Sequence, residues 1–272
     1  MSDPTEHDTS DAGDRVAVIT GAGSPNGIGA ACARALAPTH RLLVAATSSR
    51  IDDRVRELRA QGADAAGFVG DLTSSQTADE LIAVALERWG RLDALVNSAG
   101  MVATTGDEGQ SPVEETTDEQ WRNLIARNLD TNFFVTRAAL APMIAHCYGR
   151  IVSIGSLSGA VMAYRGDAAY HAAKAGVVGL SRSIAIDHAH RGITSNVVAP
   201  GWIATGSSSE RELALGDATP AGRPGTPEEV ASLVAYLASP SASYITGQVL
   251  VVDGGNSIDE EPFLPGSDAS VR

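Results

Sequence analysis

Lysine is almost missing from this chain of 272 residues: Lys174 stands alone, and the other nineteen basic side chains are arginines. Basic charge is scarce altogether, 20 Lys and Arg against 33 Asp and Glu, a formal charge of −13. That excludes the basic face needed for nonspecific binding to nucleic acid or an anionic membrane. The plain reading of the excess acid is solubility. Cysteine is scarce too. Cys32 and Cys147 have no metal-ligand spacing around them and cannot make a disulfide framework, so a reducing cytoplasmic setting and no metal are expected. Cys32 falls in an alanine-rich helical pattern and reads as a small buried hydrophobe. No run of eighteen apolar residues is present, so no membrane span is expected. The opening "MSDPTEHDTSDAGD" lacks the basic start and apolar stretch of a signal peptide. Residues 1–14 and 257–272 read as flexible tails around one domain, 15–256.

What is present is alternation. Seven short apolar runs, "RVAVIT" (15–20), "RLLVAA" (41–46), "AAGFVG" (65–70), "LDALVN" (92–97), "RIVSIG" (150–155), "ITSNVVA" (193–199) and "QVLVVD" (248–253), are separated by helical stretches. Continuous apolar runs mean strands covered on both faces, the pattern of a parallel sheet. The expected fold is therefore α/β: a doubly wound, Rossmann-type parallel sheet of seven strands with helices on both faces. Three helix starts, "TSSQ" (73–76), "TDEQ" (117–120) and "TPEE" (226–229), fit the reciprocal capping box. The Gly-, Ser-, Thr- and Pro-rich stretch 201–225 has weak periodicity and reads as a long functional loop.

The turn "TGAGSPNGIG" (20–29) leaves a strand and enters a helix, the context of a dinucleotide phosphate cradle. Gly21 and Gly23 permit the tight turn. Gly27 and Gly29 allow close approach of backbone and helix, whose first amides can meet a pyrophosphate. An acid closing the second strand would bind the ribose 2′-hydroxyl and repel a 2′-phosphate. Here that place is held by Ala46, followed by Thr47, Ser48, Ser49 and Arg50. Hydroxyls and a guanidinium suit a phosphate, so NADP is favoured. NAD becomes the cofactor if Asp52 or Asp53 curls back to the ribose.

In "YHAAK" (170–174), Tyr170 and Lys174 are one helical turn apart and share a face. A free phenol is too weak an acid–base at neutral pH, and a nearby ammonium is expected to lower its pKa. A compact ammonium can touch sugar hydroxyls and steer the tyrosine together, where a rigid guanidinium fits less well. Ser156 is the first serine past its strand and the choice for holding a substrate carbonyl, with Ser158 as the alternative and Ser153 packed mid-strand. Asn128 stands inside a predicted helix, where Asn is a poor former, and reads as a bend residue. Asn97, at the end of its strand, suits either a structural clamp or a cofactor contact.

In that order, "TGAGSPNGIG", "DLT" (71–73), "NSAG" (97–100), Asn128, Ser156, "YHAAK", "PGWIAT" (200–205) and "VVDGG" (251–255) resemble the short-chain dehydrogenase/reductase family from about Arg15 to Gly255. The resemblance implies that Tyr170 is the general acid–base of carbonyl reduction and alcohol oxidation, and that Lys174 binds the nicotinamide ribose. It implies that Ser156 polarises the substrate oxygen and that Asn128 holds a water in a proton relay. Cofactor contacts are implied at Asn26 and Ile28 in the glycine turn, and at Asp71 and Leu72 near the adenine. They are further implied at Asn97, Ala99 and Gly100 near the adenine ribose, and at Pro200, Gly201, Ile203 and Thr205 by the nicotinamide and phosphates. The glycine turn is two residues longer than the family's commonest form, and the Ser156 to Tyr170 spacing is one longer. The likeness is to 3-oxoacyl-carrier reductases and to ketone and secondary alcohol reductases. A chain of −13 suits an acidic carrier poorly, so a small free carbonyl or alcohol is expected. Val102, Tyr164, Trp202 and 206–216 are candidate pocket positions, and a homotetramer is implied through the long helices 118–146 and 168–190. Rival readings are an epimerase or dehydratase on the same fold and a nonenzymatic nicotinamide sensor. The short stretch after "VVDGG" and the retained Tyr170 and Lys174 speak against them.

Overall fold

A computed structural model describes residues 14–100 and 111–260. The expected seven strands are all present: β1 (Arg15–Ile19), β2 (His40–Ala46), β3 (Ala65–Val69), β4 (Ala94–Asn97), β5 (Gly149–Ile154), β6 (Ile193–Pro200) and β7 (Val249–Val252). They form one sheet in the order β3-β2-β1-β4-β5-β6-β7, with every pairing parallel. The order reverses between β1 and β4, which opens a crevice beyond their carboxyl ends.

Helices cover both faces because each strand is apolar on both sides. One layer holds α1 (Ile28–Leu36), α2 (Ile51–Ala60) and α9 (Pro227–Leu237), whose Leu36, Val55 and Val234 pack on Ile19, Leu42 and Val44. The other holds α3 (Ser75–Trp89), α5 (Thr131–Ala145) and α7 (Ala168–His188), whose Leu81, Met143 and Ile184 pack on Val18, Leu95 and Ile151. Each such fully buried aliphatic side chain contributes about 1.5–3 kcal/mol. Two cores on two faces keep the strand ends fixed relative to one another, which is what a site built there requires. Between these elements lie α4 (Asp118–Ile125), the single kinked turn α6 (Leu157–Ala160) and α8 (Glu210–Asp217).

Thr117 with Gln120 and Thr226 with Glu229 form the expected capping boxes. The third is corrected. Thr73 donates its hydroxyl to Asp71 Oδ1 at 2.8 Å, so Ser74 caps α3 by accepting the Thr77 N–H, and Gln76 turns to Glu80. The stretch 201–225 is not a plain loop either: Ser209 and Glu212 make a further capping box and start α8. At the far end the ordered chain runs past residue 256 into a turn, Asn256–Ile258, where Asp253 accepts the Ser257 N–H at 2.7 Å.

Candidate active site

The crevice is tied together by Thr20, whose Oγ1 accepts the N–H groups of Ser98 and Ala99 at 3.1 and 3.0 Å, joining the ends of β1 and β4. The glycine turn enters α1 tightly enough that a Cβ on Gly29 would lie 2.6 Å from the Gly21 carbonyl oxygen. The N-cap of α1 is Gly27, and no side chain caps it, whereas α3, α4, α8 and α9 each carry a side-chain cap. Its first amides therefore remain free for an anion. The lengthened part of the turn is anchored from behind. Arg34 donates to the Pro25 carbonyl at 3.1 Å and pairs with Glu228 at 2.8 Å. In front, a Cβ on Gly206 would fall 3.5 Å from Ser24 Oγ and 3.9 Å from Asn26 Cβ, so the segment following Thr205 lies against the turn.

Around this turn the structure gathers the other expected cofactor positions at the carboxyl ends of their strands. Thr47, Ser48, Ser49 and Arg50 follow β2, and Arg50 Nε donates to Ser48 Oγ at 3.3 Å from an exposed position. Asp52 and Asp53 stand exposed in the first turn of α2, with Asp53 paired to Arg56. Asp71 follows β3 and accepts from Thr73, and Leu72 beside it is buried. Pro200 closes β6. Gly201 then donates its N–H to the Val252 carbonyl at 2.9 Å, and Ile203 bridges to Gly225. Thr205 is held by Ser208, whose Oγ accepts its N–H at 2.9 Å. Asn97 takes the clamp role: its amide donates to Thr136 Oγ1 at 2.9 Å on α5, and its side chain is buried between sheet and helix.

Lys174 lies on the second turn of α7 and is 5% exposed. Its Nζ donates to the Ile154 carbonyl, the last residue of β5, at 3.0 Å. Asn128 comes to the same place from a π-helical turn, Ala126–Asp130, that interrupts α4 and α5, with its Nδ2 donating to the Leu124 carbonyl at 3.0 Å. A Cβ on Gly100 would sit 2.7 Å from Asn128 Oδ1 and 3.4 Å from Lys174 Nζ. The end of β4, the bend residue and the lone lysine thus converge, and only a glycine fits between them. Tyr170 is on the same face of α7, its ring centre 5.5 Å from Lys174 Nζ. Ser156 N-caps α6 and accepts the Ser158 N–H at 3.1 Å, and its side chain is near enough to the Tyr170 phenol to act on it. Ser158 contributes its backbone, and Ser153 is packed in β5 as expected.

The electrostatics correct one expectation. Burial pushes the Tyr170 phenol up to about 12, Ser156 acts against that, and Asp167 and Glu212 add to it. Lysine is not what governs it. Burial likewise pushes Lys174 down to about 8. Both groups pay for desolvation, and each is held closer to its neutral form than it would be in water.

Of the candidate substrate positions, Tyr164 donates its hydroxyl to Asp167 at 2.9 Å, and the Trp202 carbonyl accepts the Gly225 N–H at 2.9 Å. Val102 lies outside the described residues. Asp167 and His171 were missed by the motif reading, and Glu212 was included only as part of the candidate segment 206–216. Within that segment the capping-box pattern of Ser209 with Glu212 was a signal that could have singled Glu212 out.

A cradle of uncapped amides, a strand end without an acid, and a half-buried tyrosine over a buried lysine and beside a serine fit a nicotinamide dinucleotide. A family model described as "Enoyl-(Acyl carrier protein) reductase" matches residues 21–257. A 3-oxoacyl-[acyl-carrier-protein] reductase of Synechocystis sp. is 39% identical over 246 residues, 89% of this chain and 96% of that protein. The chain belongs to the short-chain dehydrogenase/reductase family. The cis-4-hydroxycyclohexanecarboxylate dehydrogenase of Sinomonas cyclohexanicum is 38% identical over 247 residues, 89% of this chain and 96% of that one. A variant of the actinorhodin polyketide ketoreductase, solved with NADPH, superimposes with a TM-score of 0.82 at 35% identity, covering 90% of this chain and 98% of that one. This short-chain dehydrogenase/reductase is an oxidoreductase of the nicotinamide-dependent kind. Among its described residues, no helix is long and apolar enough to cross a membrane.

Proposed function

We propose that the enzyme is an NADP-preferring reductase of small free ketones, running in reverse on secondary alcohols. The observation that carries this is the convergence of Lys174, Asn128 and Gly100 beside the Tyr170 phenol at the end of β5. The bound nicotinamide supplies or accepts the hydride. The chain does the rest. Ser156 donates to the substrate oxygen and orients it. Tyr170, held protonated by its burial, delivers the proton to that oxygen on reduction and takes it back on oxidation. The Lys174 ammonium binds the ribose hydroxyls with the donors left over from Ile154, and Asn128 holds the water that returns a proton. Free amides of α1 meet the pyrophosphate, and Arg50 with Ser48 and Ser49 receives the 2′-phosphate. Asp71 and Leu72 flank the adenine, and Ala99, Gly100, Pro200, Gly201, Ile203 and Thr205 line the floor and roof. Exposed Trp121 and Phe133, with Ile186 at 84% exposure, lie on α4, α5 and α7 and support association of those helices into a homotetramer.

The test is Tyr170→Phe. NADPH binding, followed by fluorescence, is expected to persist while ketone reduction falls by about 10²–10⁴-fold. Unchanged turnover in the variant rejects the assignment of Tyr170, whereas NADPH binding by the wild type without turnover of any ketone leaves a nonenzymatic sensor. A second reading, reduction of a 3-oxoacyl group on an acyl carrier, is favoured by the names of the relatives. The charge of −13 weighs against docking an acidic carrier. Comparing a free β-keto thioester with its carrier-bound form decides between them.

A further inference from the structure

The loop that leads into α7 is closed by His171. Its Nδ1 donates to the Asp167 carbonyl at 2.5 Å, which leaves Nε2 bare to accept the Tyr164 N–H at 3.1 Å. Only that tautomer satisfies both bonds, because a backbone N–H can only donate. The Tyr164 ring meets His171 edge-on with centroids 4.6 Å apart, and His171 meets Tyr170 edge-on at 6.4 Å. One imidazole therefore joins Tyr164 to the helix that carries the reacting phenol.

The chemistry of Tyr164 in that position is one-sided. Its single proton goes to Asp167 Oδ2 at 2.9 Å, so its oxygen has only acceptor capacity left. Asp167 is 6% exposed and, among the described residues, no ion pair neutralises it. Glu212 stands in the first turn of α8. Both Ser209 N–H and Ser209 Oγ donate to Glu212 Oε2, at 2.7 and 2.8 Å, and hold the carboxylate in place. The charged groups that act on the Tyr170 phenol are these two carboxylates. Ser156 and Tyr170 face the reacting oxygen and Lys174 with Asn128 lies behind the phenol, so on the side of Tyr164 the polar groups are an acceptor oxygen and the two carboxylates, Asp167 and Glu212.

We infer that the substrate carries a hydrogen-bond donor, a hydroxyl or an ammonium, away from its reacting carbon, that Tyr164 Oη receives it, and that Asp167 and Glu212 turn carboxylated substrates away. This rests on the oxidoreductase reading above. A site built to pair a donor rejects the analogue that lacks it far more strongly than an apolar pocket rejects a missing methylene, because a buried acceptor is left unpaired.

The experiment uses the full chain with NADPH and four ketones of one skeleton: plain, hydroxylated, ammonium-bearing and carboxylated. The hydroxylated or ammonium-bearing ketone is expected to exceed the plain one in kcat/KM by about tenfold or more, with the carboxylated one lowest. Tyr164→Phe is expected to raise KM for the favoured ketone and collapse its ratio to the plain one. Glu212→Gln keeps a side chain that completes the capping box and is expected to raise kcat/KM for the carboxylated ketone. Turnover of all four at similar efficiency overturns the inference and leaves the reductase reading intact. So does loss in Tyr164→Phe that is equal for all four. Turnover of none overturns both.

Discussion

Lys174 donates to the Ile154 carbonyl across 3.0 Å while its ammonium stands 5.5 Å from the centre of the Tyr170 ring. The lysine bridges the last residue of β5 to the helix that carries the tyrosine, and its charge is held in a buried position. Burial pushes it down to about 8 and the phenol up to about 12. The phenol is therefore protonated across neutral pH, as an acid for carbonyl reduction must be. The ammonium is the group that titrates first on the alkaline side. Turnover in the direction of reduction is expected to be level around neutrality and to fall as pH rises through about 8. A kcat profile with no alkaline limb in that region, or one that climbs there, contradicts the assignment of Lys174.

Ser156 and Ser158 can be told apart by substitution. The Ser156 side chain acts on the Tyr170 phenol and accepts the Ser158 N–H, while Ser158 enters the arrangement through its backbone N–H. Ser156→Ala is expected to lower kcat by about 10²–10³-fold, the size typical for removing one donor to a developing oxyanion. Ser158→Ala keeps its backbone N–H and is expected to lose less than about threefold. Steady-state kinetics on both variants checks this, and the reverse order would move the substrate oxygen to Ser158.

Much of this was legible in the chain because the relevant signals are local. The seven strands are continuous apolar runs, and the Tyr170–Lys174 pair and the uncapped glycine turn are short motifs whose meaning survives without the fold. What failed was competition between neighbours and burial. Thr73 looked like a cap, but Asp71 two residues earlier takes its hydroxyl, and the cap passes to Ser74. The phenol of Tyr170 was expected to be lowered by its lysine, and the desolvation that reverses this arises from tertiary burial, which no local pattern carries. The lock between Tyr164, Asp167 and His171 spans only a few residues, yet it needs the loop's shape to exist.

Cofactor preference follows from what ends β2. Ala46 faces the glycine turn, where a Cβ on Gly23 would lie 2.9 Å from its own Cβ, and Arg50 stands exposed with Ser48 as its bonded neighbour. Arg50→Ala is expected to weaken NADPH more than NADH by about tenfold, the loss of a charge-assisted phosphate contact. Ala46→Asp is expected to reverse the preference, since a carboxylate there accepts from a ribose hydroxyl and repels a 2′-phosphate. The ratio of kcat/KM with NADPH to that with NADH measures both. Equal ratios in wild type and Arg50→Ala would point to NAD.

Stability in acid is governed at the opposite end of the sheet by His40, the first residue of β2. It is buried, its Nδ1 bonds Thr39 Oγ1 at 2.9 Å, and burial pushes it down from 6.5 to about 4, with Asp93 pulling the other way. The folded protein therefore keeps the ring neutral where the unfolded chain would protonate it. Between those two values the unfolded state binds more protons, so stability rises with pH through that window and is lost as pH falls through it. Above about 6.5 the penalty is absent, and below about 4 it is complete, at about 3 kcal/mol for a difference of that size. Urea denaturation near neutrality and at about pH 5 should show wild type losing more stability than His40→Gln, whose side chain cannot take up the proton. The carboxylates titrate in both proteins and cancel in that comparison. If the two lose stability in parallel, the imidazole is not a source of the acid sensitivity.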